Sequence, residues 1–132
     1  MRILVTGGAG FLGARLAREI LQRGQLCGQT VKQLVIADLF PAPADLQADP
    51  RVQSHAGPML EQGELLASGF DGVFHLASAV SGECELDFDL GLRSNLDSTR
   101  LLLDGIRRSG KASRLVFASS VAVFGPYADQ PM

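Results

Sequence analysis

The segment Ile3-Leu4-Val5-Thr6-Gly7-Gly8-Ala9-Gly10-Phe11-Leu12-Gly13 limits what this chain can become more than any other. An apolar run of strand character empties into a glycine turn, and helical periodicity begins at once. Leu12, Leu16, Ile20 and Leu21 recur on one face of that helix, with Arg15, Arg18 and Glu19 on another. Glycines at a strand-to-helix turn admit backbone conformations closed to other residues and let a pyrophosphate come up against the main chain. The helix start beyond the turn offers unpaired N–H groups and a partial positive charge to that anion. The pattern predicts a strand–helix unit that binds a nucleotide through Gly7, Gly10, Phe11, Leu12 and Gly13.

The next apolar run, Gln33-Leu34-Val35-Ile36-Ala37-Asp38, reads as a buried strand that ends in a carboxylate. In a dinucleotide-binding unit this is where an acceptor for the adenosine ribose 2′-hydroxyl stands. A carboxylate there repels a 2′-phosphate, and Leu39 and Phe40 bring no cation to hold one, so the cofactor expected is NAD rather than NADP. Two alternatives stay open: Asp38 as a cap for the loop before Pro41, and Arg2 or Lys32 folded toward the adenosine.

Strand and helix signals go on alternating, with strands near 2–6, 33–38, 51–55, 71–76 and 114–119 and helices near 11–23, 59–68 and 86–109. Pro41-Ala42-Pro43-Ala44 reads as a loop. Such alternation predicts an α/β fold of the Rossmann type, a doubly wound parallel sheet in strand order 3-2-1-4-5 with its ligand over the carboxyl ends of the strands. The helix near 86–109 carries Leu92, Leu96, Thr99, Leu103 and Ile106 along one stripe, its expected core face, with Leu101 and Leu102 beside it and Gly110 as its C-cap.

A chain of 132 residues, 46% hydrophobic and 20% charged, has the composition of one ordinary globular domain. A net charge of −2 gives no electrostatic footprint for nucleic acid, and no apolar run approaches the length of a membrane span. The N-terminus opens directly on a strand, and Cys27 and Cys84 have neither metal nor disulfide spacing, so a cytoplasmic protein with reduced thiols is expected. His55 and His75 stand far apart without companion ligands, and no metal site is expected.

Val73-Phe74-His75-Leu76-Ala77-Ser78, Asn95, and Phe117-Ala118-Ser119-Ser120-Val121-Ala122-Val123-Phe124-Gly125 fall where strand ends meet a nucleotide. Together with the glycines at 7, 10 and 13, they make the whole chain resemble the extended short-chain dehydrogenase/reductases, the NAD-dependent epimerase/dehydratase family. Within it, His75-Leu76-Ala77-Ser78-Ala79-Val80-Ser81-Gly82, Asp87-Phe88-Asp89-Leu90-Gly91 and Asn95-Leu96-Asp97 look like the D-erythronate dehydrogenase branch.

The resemblance implies roles for the matching positions. Leu76, Ala77 and Ser78 line the cofactor past the fourth strand, with Ser81 and Ser119 on its nicotinamide side. Ser120 matches the family's catalytic serine or threonine, whose hydroxyl donates to a substrate oxygen as charge develops there. Asn95, counted with the cofactor contacts, matches an asparagine that holds the long helix and a water near the active site. The substrate implied is a small sugar acid whose secondary alcohol gives hydride to NAD, and the assembly implied is a homodimer paired through helix 86–109. A sugar-nucleotide epimerase or dehydratase and a non-catalytic NAD-binding module are the alternatives.

Purely structural readings stand beside these roles. Serines at strand ends also cap turns, and Asn95 serves equally well as a loop brace. His75, closing an apolar run, reads as a packed and hydrogen-bonded side chain, and Asp87 and Asp89 as favourable charges at a helix start. Two departures from the family matter. Many relatives place an acidic residue after the third strand, where it meets the adenine, but this chain has Ala56-Gly57-Pro58-Met59. The Tyr-x-x-x-Lys pair that supplies the acid/base does not occur, because Tyr127 is the only tyrosine and Pro131 stands four residues later. The expectation is therefore a single NAD-binding domain over 1–132, C-terminally truncated relative to a longer enzyme and inactive alone.

Overall fold

A computed structural model of the chain describes residues 1–124, so Gly125 and Tyr127 lie outside the described residues. Its sheet contains β1 (Arg2–Thr6), β2 (Gln33–Asp38), β3 (Val52–Ala56), β4 (Gly72–His75) and β5 (Arg114–Phe117). All are paired in parallel in the order β3-β2-β1-β4-β5, as the alternation of elements led us to expect. β1 is central: Val5 lies opposite Ile36 on one edge and Phe74 on the other.

Successive side chains of a strand point to opposite faces, and β1 and β2 are apolar on both. Ile3, Val5, Leu34 and Ile36 pack under α1 (Phe11–Arg23) with Ala14, Ala17 and Ile20. Leu4, Val35 and Ala37 pack on the other face with Leu66 of α3 (Gly63–Leu66), Phe70, Val73 and Leu102 of α6 (Ser98–Arg108). At the amino ends of the strands, Arg2 pairs with Gln33 at 2.6 Å and lies over the Phe70 ring at 4.3 Å.

Several expectations about helices need correction. Leu12 is 64% exposed rather than in the core, because the first turn of α1 projects past the strand ends; the buried face is Gly13, Ala14, Ala17, Ile20 and Leu21. A short antiparallel hairpin, Gln25–Leu26 with Gln29–Thr30, follows α1. Ala44, expected in a loop, opens the one-turn α2 (Ala44–Gln47). The helix expected near 59–68 is a 3-10 turn, Met59–Glu61, followed by α3.

The helix expected near 86–109 is a succession of pieces. α4 (Ser81–Leu86) ends at Asp87, whose backbone is extended (φ −138°, ψ 95°) and whose carboxylate accepts from the Leu90 N–H at 2.8 Å to cap α5 (Phe88–Gly91). A π-helical segment, Leu92–Asp97, then leads into α6. The leucine stripe is one residue out of phase with the real core face. Ser98, Leu102 and Gly105 are buried, whereas Leu92, Leu96 and Leu103 are 39%, 50% and 47% exposed. On that face Leu102 packs with Leu66 of α3, flanked by Ser98 and Gly105, small residues that carry no apolar signal. Gly110 does end α6 in the left-handed region, at φ +65°. No helix among the described residues is long and apolar enough to cross a membrane.

Candidate functional site

The carboxyl ends of β1, β2, β3 and β4 open onto one cleft of about 730 Å³. Its floor is the turn after β1. Gly7 takes φ +67°, and a Cβ there would lie 2.8 Å from the Ala77 nitrogen. Gly13 is tighter still, since a Cβ would meet the Gly7 carbonyl oxygen at 2.1 Å. These contacts press the first turn of α1 onto the loop and bring main chain, without side chains, to the cleft floor. No side chain caps α1 at Gly10 and no acidic residue stands in its first turn, so its N-terminal N–H groups keep their affinity for an anion. Phe11 and Leu12 flank this start as exposed side chains.

Asp38 ends β2 beside the turn. Its two carboxylate oxygens accept from the Ala9 N–H at 3.0 Å and the Phe40 N–H at 3.2 Å. The second bond is the loop cap expected of the alternative reading, and the first ties the same carboxylate to the glycine turn. A carboxylate has about four acceptor sites, so two bonds leave capacity for a diol. Arg2 and Lys32 belong to the opposite, amino end of the strands, and Arg2 is engaged with Gln33 and Phe70. Neither brings a cation to Asp38, which removes that objection to NAD.

Leu76, Ala77 and Ser78 form the cleft wall after β4. Two devices hold it. Asn95, in the π segment, accepts from the Ala79 N–H at 2.8 Å and donates to the Ala79 carbonyl at 3.1 Å, the brace foreseen as its structural role. His75 is buried and spans Thr6 of β1 at 2.6 Å (Nδ1) and Thr99 of α6 at 3.1 Å (Nε2). Thr99 spends its own proton on the Asn95 carbonyl at 2.7 Å, so its oxygen accepts from His75 Nε2–H. Nδ1 is then the acceptor for the Thr6 hydroxyl. Burial lowers the His75 pKa from its ordinary 6.5, in keeping with this neutral tautomer.

The remaining expected residues are less gathered. Ser81 begins α4 as an exposed side chain next to this wall. Ser119 and Ser120 follow β5 and are exposed, and the Ser120 carbonyl accepts from the Val123 N–H at 3.3 Å. Gln62, Glu83 and Arg93 also line the cleft, and sequence reasoning missed them: none falls in a motif, and each arrives on a short helical piece that periodicity did not resolve. Arg93 adds positive charge to the wall and lies 3.8 Å from Asp87.

The chain matches the model of the NAD-dependent epimerase/dehydratase family over residues 3–132. A D-erythronate dehydrogenase of Cupriavidus necator is 48% identical over 132 residues, 95% of this chain and 40% of that protein. The nucleoside-diphosphate-sugar epimerase of Agrobacterium tumefaciens superposes with a TM-score of 0.87 at 40% identity, over 99% of this chain and 40% of its own. A dTDP-glucose 4,6-dehydratase double mutant of Streptomyces venezuelae, solved with NAD and DAU bound, gives 0.82 at 27% identity, over 100% of this chain and 43% of its own. The chain thus spans 40% of the length of the dehydrogenase and of the epimerase. A parallel sheet in the order 3-2-1-4-5, a glycine turn pressed onto a helix start, a carboxylate at the end of β2 and the match over nearly every residue lead to one conclusion: this chain belongs to the NAD-dependent epimerase/dehydratase family.

Proposed function

We propose that this chain is the cofactor-binding domain, over residues 1–132, of an NAD-dependent oxidoreductase that oxidises a secondary alcohol of a small sugar acid, D-erythronate or a close analogue. The observation that carries the reading is the Asp38 carboxylate held 3.0 Å from the Ala9 amide, next to a turn with no room for a Cβ at Gly7 or Gly13. That arrangement suits a ribose diol beside a pyrophosphate and repels a 2′-phosphate. The likeness to the dehydrogenase of Cupriavidus necator supports the substrate class.

In this reading Gly7, Gly10, Phe11, Leu12 and Gly13 receive the pyrophosphate, and Asp38 accepts from the adenosine ribose. Leu76, Ala77 and Ser78 wall the cofactor, and Ser81 and Ser119 flank the nicotinamide. Asn95 acts from behind the wall by holding Ala79. Bound NAD supplies the hydride acceptor. The Ser120 hydroxyl donates a hydrogen bond to the substrate oxygen, orienting the alcohol and stabilising charge on it. The alcohol proton needs an acceptor within hydrogen-bond reach, and these residues contain no Tyr-x-x-x-Lys pair. We assign that acceptor to a part of the protein outside them, so that the 132-residue chain binds NAD without turnover. The working protein is a cytoplasmic homodimer paired through the segment 86–109.

The test is the full-length protein with NAD and D-erythronate, followed by NADH absorbance. Turnover is expected, with Ser120→Ala lowering kcat by about 10²–10³. The similarity to the Agrobacterium epimerase favours one second reading, a sugar-nucleotide epimerase. Interconversion of a nucleotide sugar without net NADH, and no reaction with any sugar acid, decides for it. NAD binding with neither reaction leaves a non-catalytic binding module.

A further inference from the structure

The wall after β4 is gripped at two points by two different elements. The Ala77 N–H donates to Thr6 Oγ1 of β1 at 3.4 Å, and Ala79 bonds through both its N–H and its carbonyl to the Asn95 side chain in the π segment. His75 lies between the two grips, with Thr6 on Nδ1 at 2.6 Å and Thr99 on Nε2 at 3.1 Å. The Thr99 hydroxyl returns to the Asn95 main-chain carbonyl at 2.7 Å. A threonine bond of this kind is ordinary in a helix. Here it consumes the one proton on Thr99 Oγ1 and leaves that oxygen as an acceptor for the imidazole.

The result is one chain of bonds that leaves the wall at Ala77 and comes back to it at Ala79. A main-chain N–H only donates and a main-chain carbonyl only accepts, so the two ends admit one arrangement of the hydrogens between them. The Ala77 N–H points to Thr6, the Thr6 O–H to Nδ1, the Nε2–H to Thr99, and the Thr99 O–H to Asn95. Thr6 and His75 are both buried, where a polar group left unpaired costs most. The far end of the chain sits in a π-helical turn, a rare form that gathers at functional sites.

We infer that Thr6 and Thr99 are positioning residues for the cofactor wall and act as a unit, through the single His75 tautomer that their hydroxyls select; this rests on the NAD reading of the cleft. Neither hydroxyl needs to touch the cofactor. Thr99 stands behind the wall, and its effect reaches Ala77 and Ala79 through the imidazole and Asn95.

The test is a double-mutant cycle on the full-length protein, with NAD affinity measured by calorimetry and the His75 tautomer by nitrogen-15 NMR of the imidazole. In wild type Nε2 is expected to carry the proton and Nδ1 to be bare. Thr99→Val should weaken NAD binding about fivefold and give a mixture of tautomers, whereas Thr99→Ser, which keeps the hydroxyl, should stay within about twofold of wild type and keep its tautomer. Thr6→Val should weaken binding about tenfold, and adding Thr99→Val to it should cost less than about twofold more. Two independent supports would instead multiply, to roughly fiftyfold. Multiplied losses, a proton on Nδ1 in wild type, or Thr99→Val binding NAD as wild type does each overturn the inference while NAD binding stands. Should Thr6→Val not fold, the contrast between Thr99→Val and Thr99→Ser in affinity and tautomer decides. The tautomer is read without NAD, so a wild-type protein that has the expected tautomer and binds no NAD overturns the cofactor reading, and the positioning role with it.

Discussion

β1 and β5 carry the same kind of sequence and meet different fates. One reads Arg-Ile-Leu-Val-Thr and the other Arg-Leu-Val-Phe. Ile3, Leu4 and Val5 are 0% exposed, whereas Leu115, Val116 and Phe117 are 38%, 51% and 52% exposed. The difference lies in what surrounds each strand. β1 has ladder partners on both edges, α1 on one face and Phe70, α3 and α6 on the other. β5 pairs with β4 alone among the described residues. An apolar strand is thus an offer of burial that only neighbouring layers can take up. The site inherits the contrast. The glycine turn and Asp38 hang from the closed side, and Ser119 and Ser120 hang from the open side.

The largest expected effect separates the two strands directly. Leu4→Ala deletes buried methyl groups in a core that cannot fully collapse, and about 2–5 kcal/mol of stability is expected to be lost. In the 132-residue chain Val116→Ala, on a strand half in solvent there, should cost less than about 1 kcal/mol. Urea unfolding of both variants measures the pair. Equal losses would break the comparison, because they would mean that β5 is covered in solution.

The next effect moves the comparison from stability to binding. Gly13→Ala puts a Cβ within 2.1 Å of the Gly7 carbonyl oxygen, and neither backbone can yield without moving the loop. NAD affinity is expected to fall roughly a hundredfold, about 2.7 kcal/mol. Ser120→Ala, on the open side, should leave NAD affinity within about threefold, since its hydroxyl is assigned to the substrate. Calorimetry on both variants decides, and similar losses would mean that the cofactor depends on the two sides alike.

The closed side was legible in the residues and much of the open side was not. The run from Ile3 to Gly13 and the carboxylate at Asp38 announce themselves locally, because an apolar run, a glycine turn and a helix start each have a short-range signature. The core phase of α6 has none: Ser98 and Gly105 are buried because they are small, and Leu92, Leu96 and Leu103 drew attention to the wrong face. The break at Asp87 and the π segment after it defeat any single helical period. His75 was readable as a packed side chain. Its partners were not, since Thr6 is distant in sequence and Thr99 reaches it only through the fold of α6.

His75 stands at the seam between the two sides, and the smallest of the three effects tests whether that seam is closed. It ends β4, bonds to Thr6 of β1, and lies with its ring centroid 5.5 Å from that of Phe117 on β5. Burial lowers its pKa, so below pH 6.5 the unfolded chain takes up a proton more readily than the folded one. Stability therefore rises with pH in this range: it is fully present above 6.5 and is lost as pH falls from there toward the lower folded value. Asp49, which Arg51 holds at about 2, and Asp71, held low by Lys111, titrate below this window. Protonation at Nδ1 also turns an acceptor into a donor, so the Thr6 hydroxyl proton loses its acceptor, while the Thr6 oxygen still accepts from the Ala77 N–H. Urea midpoints taken downward from neutral pH should fall for wild type, and His75→Gln, which is less stable at neutral pH but has nothing to protonate there, should give a flatter profile. Parallel profiles would mean that the imidazole titrates alike in both states, that solvent reaches it past Phe117, and that the open side of the sheet extends inward as far as β4.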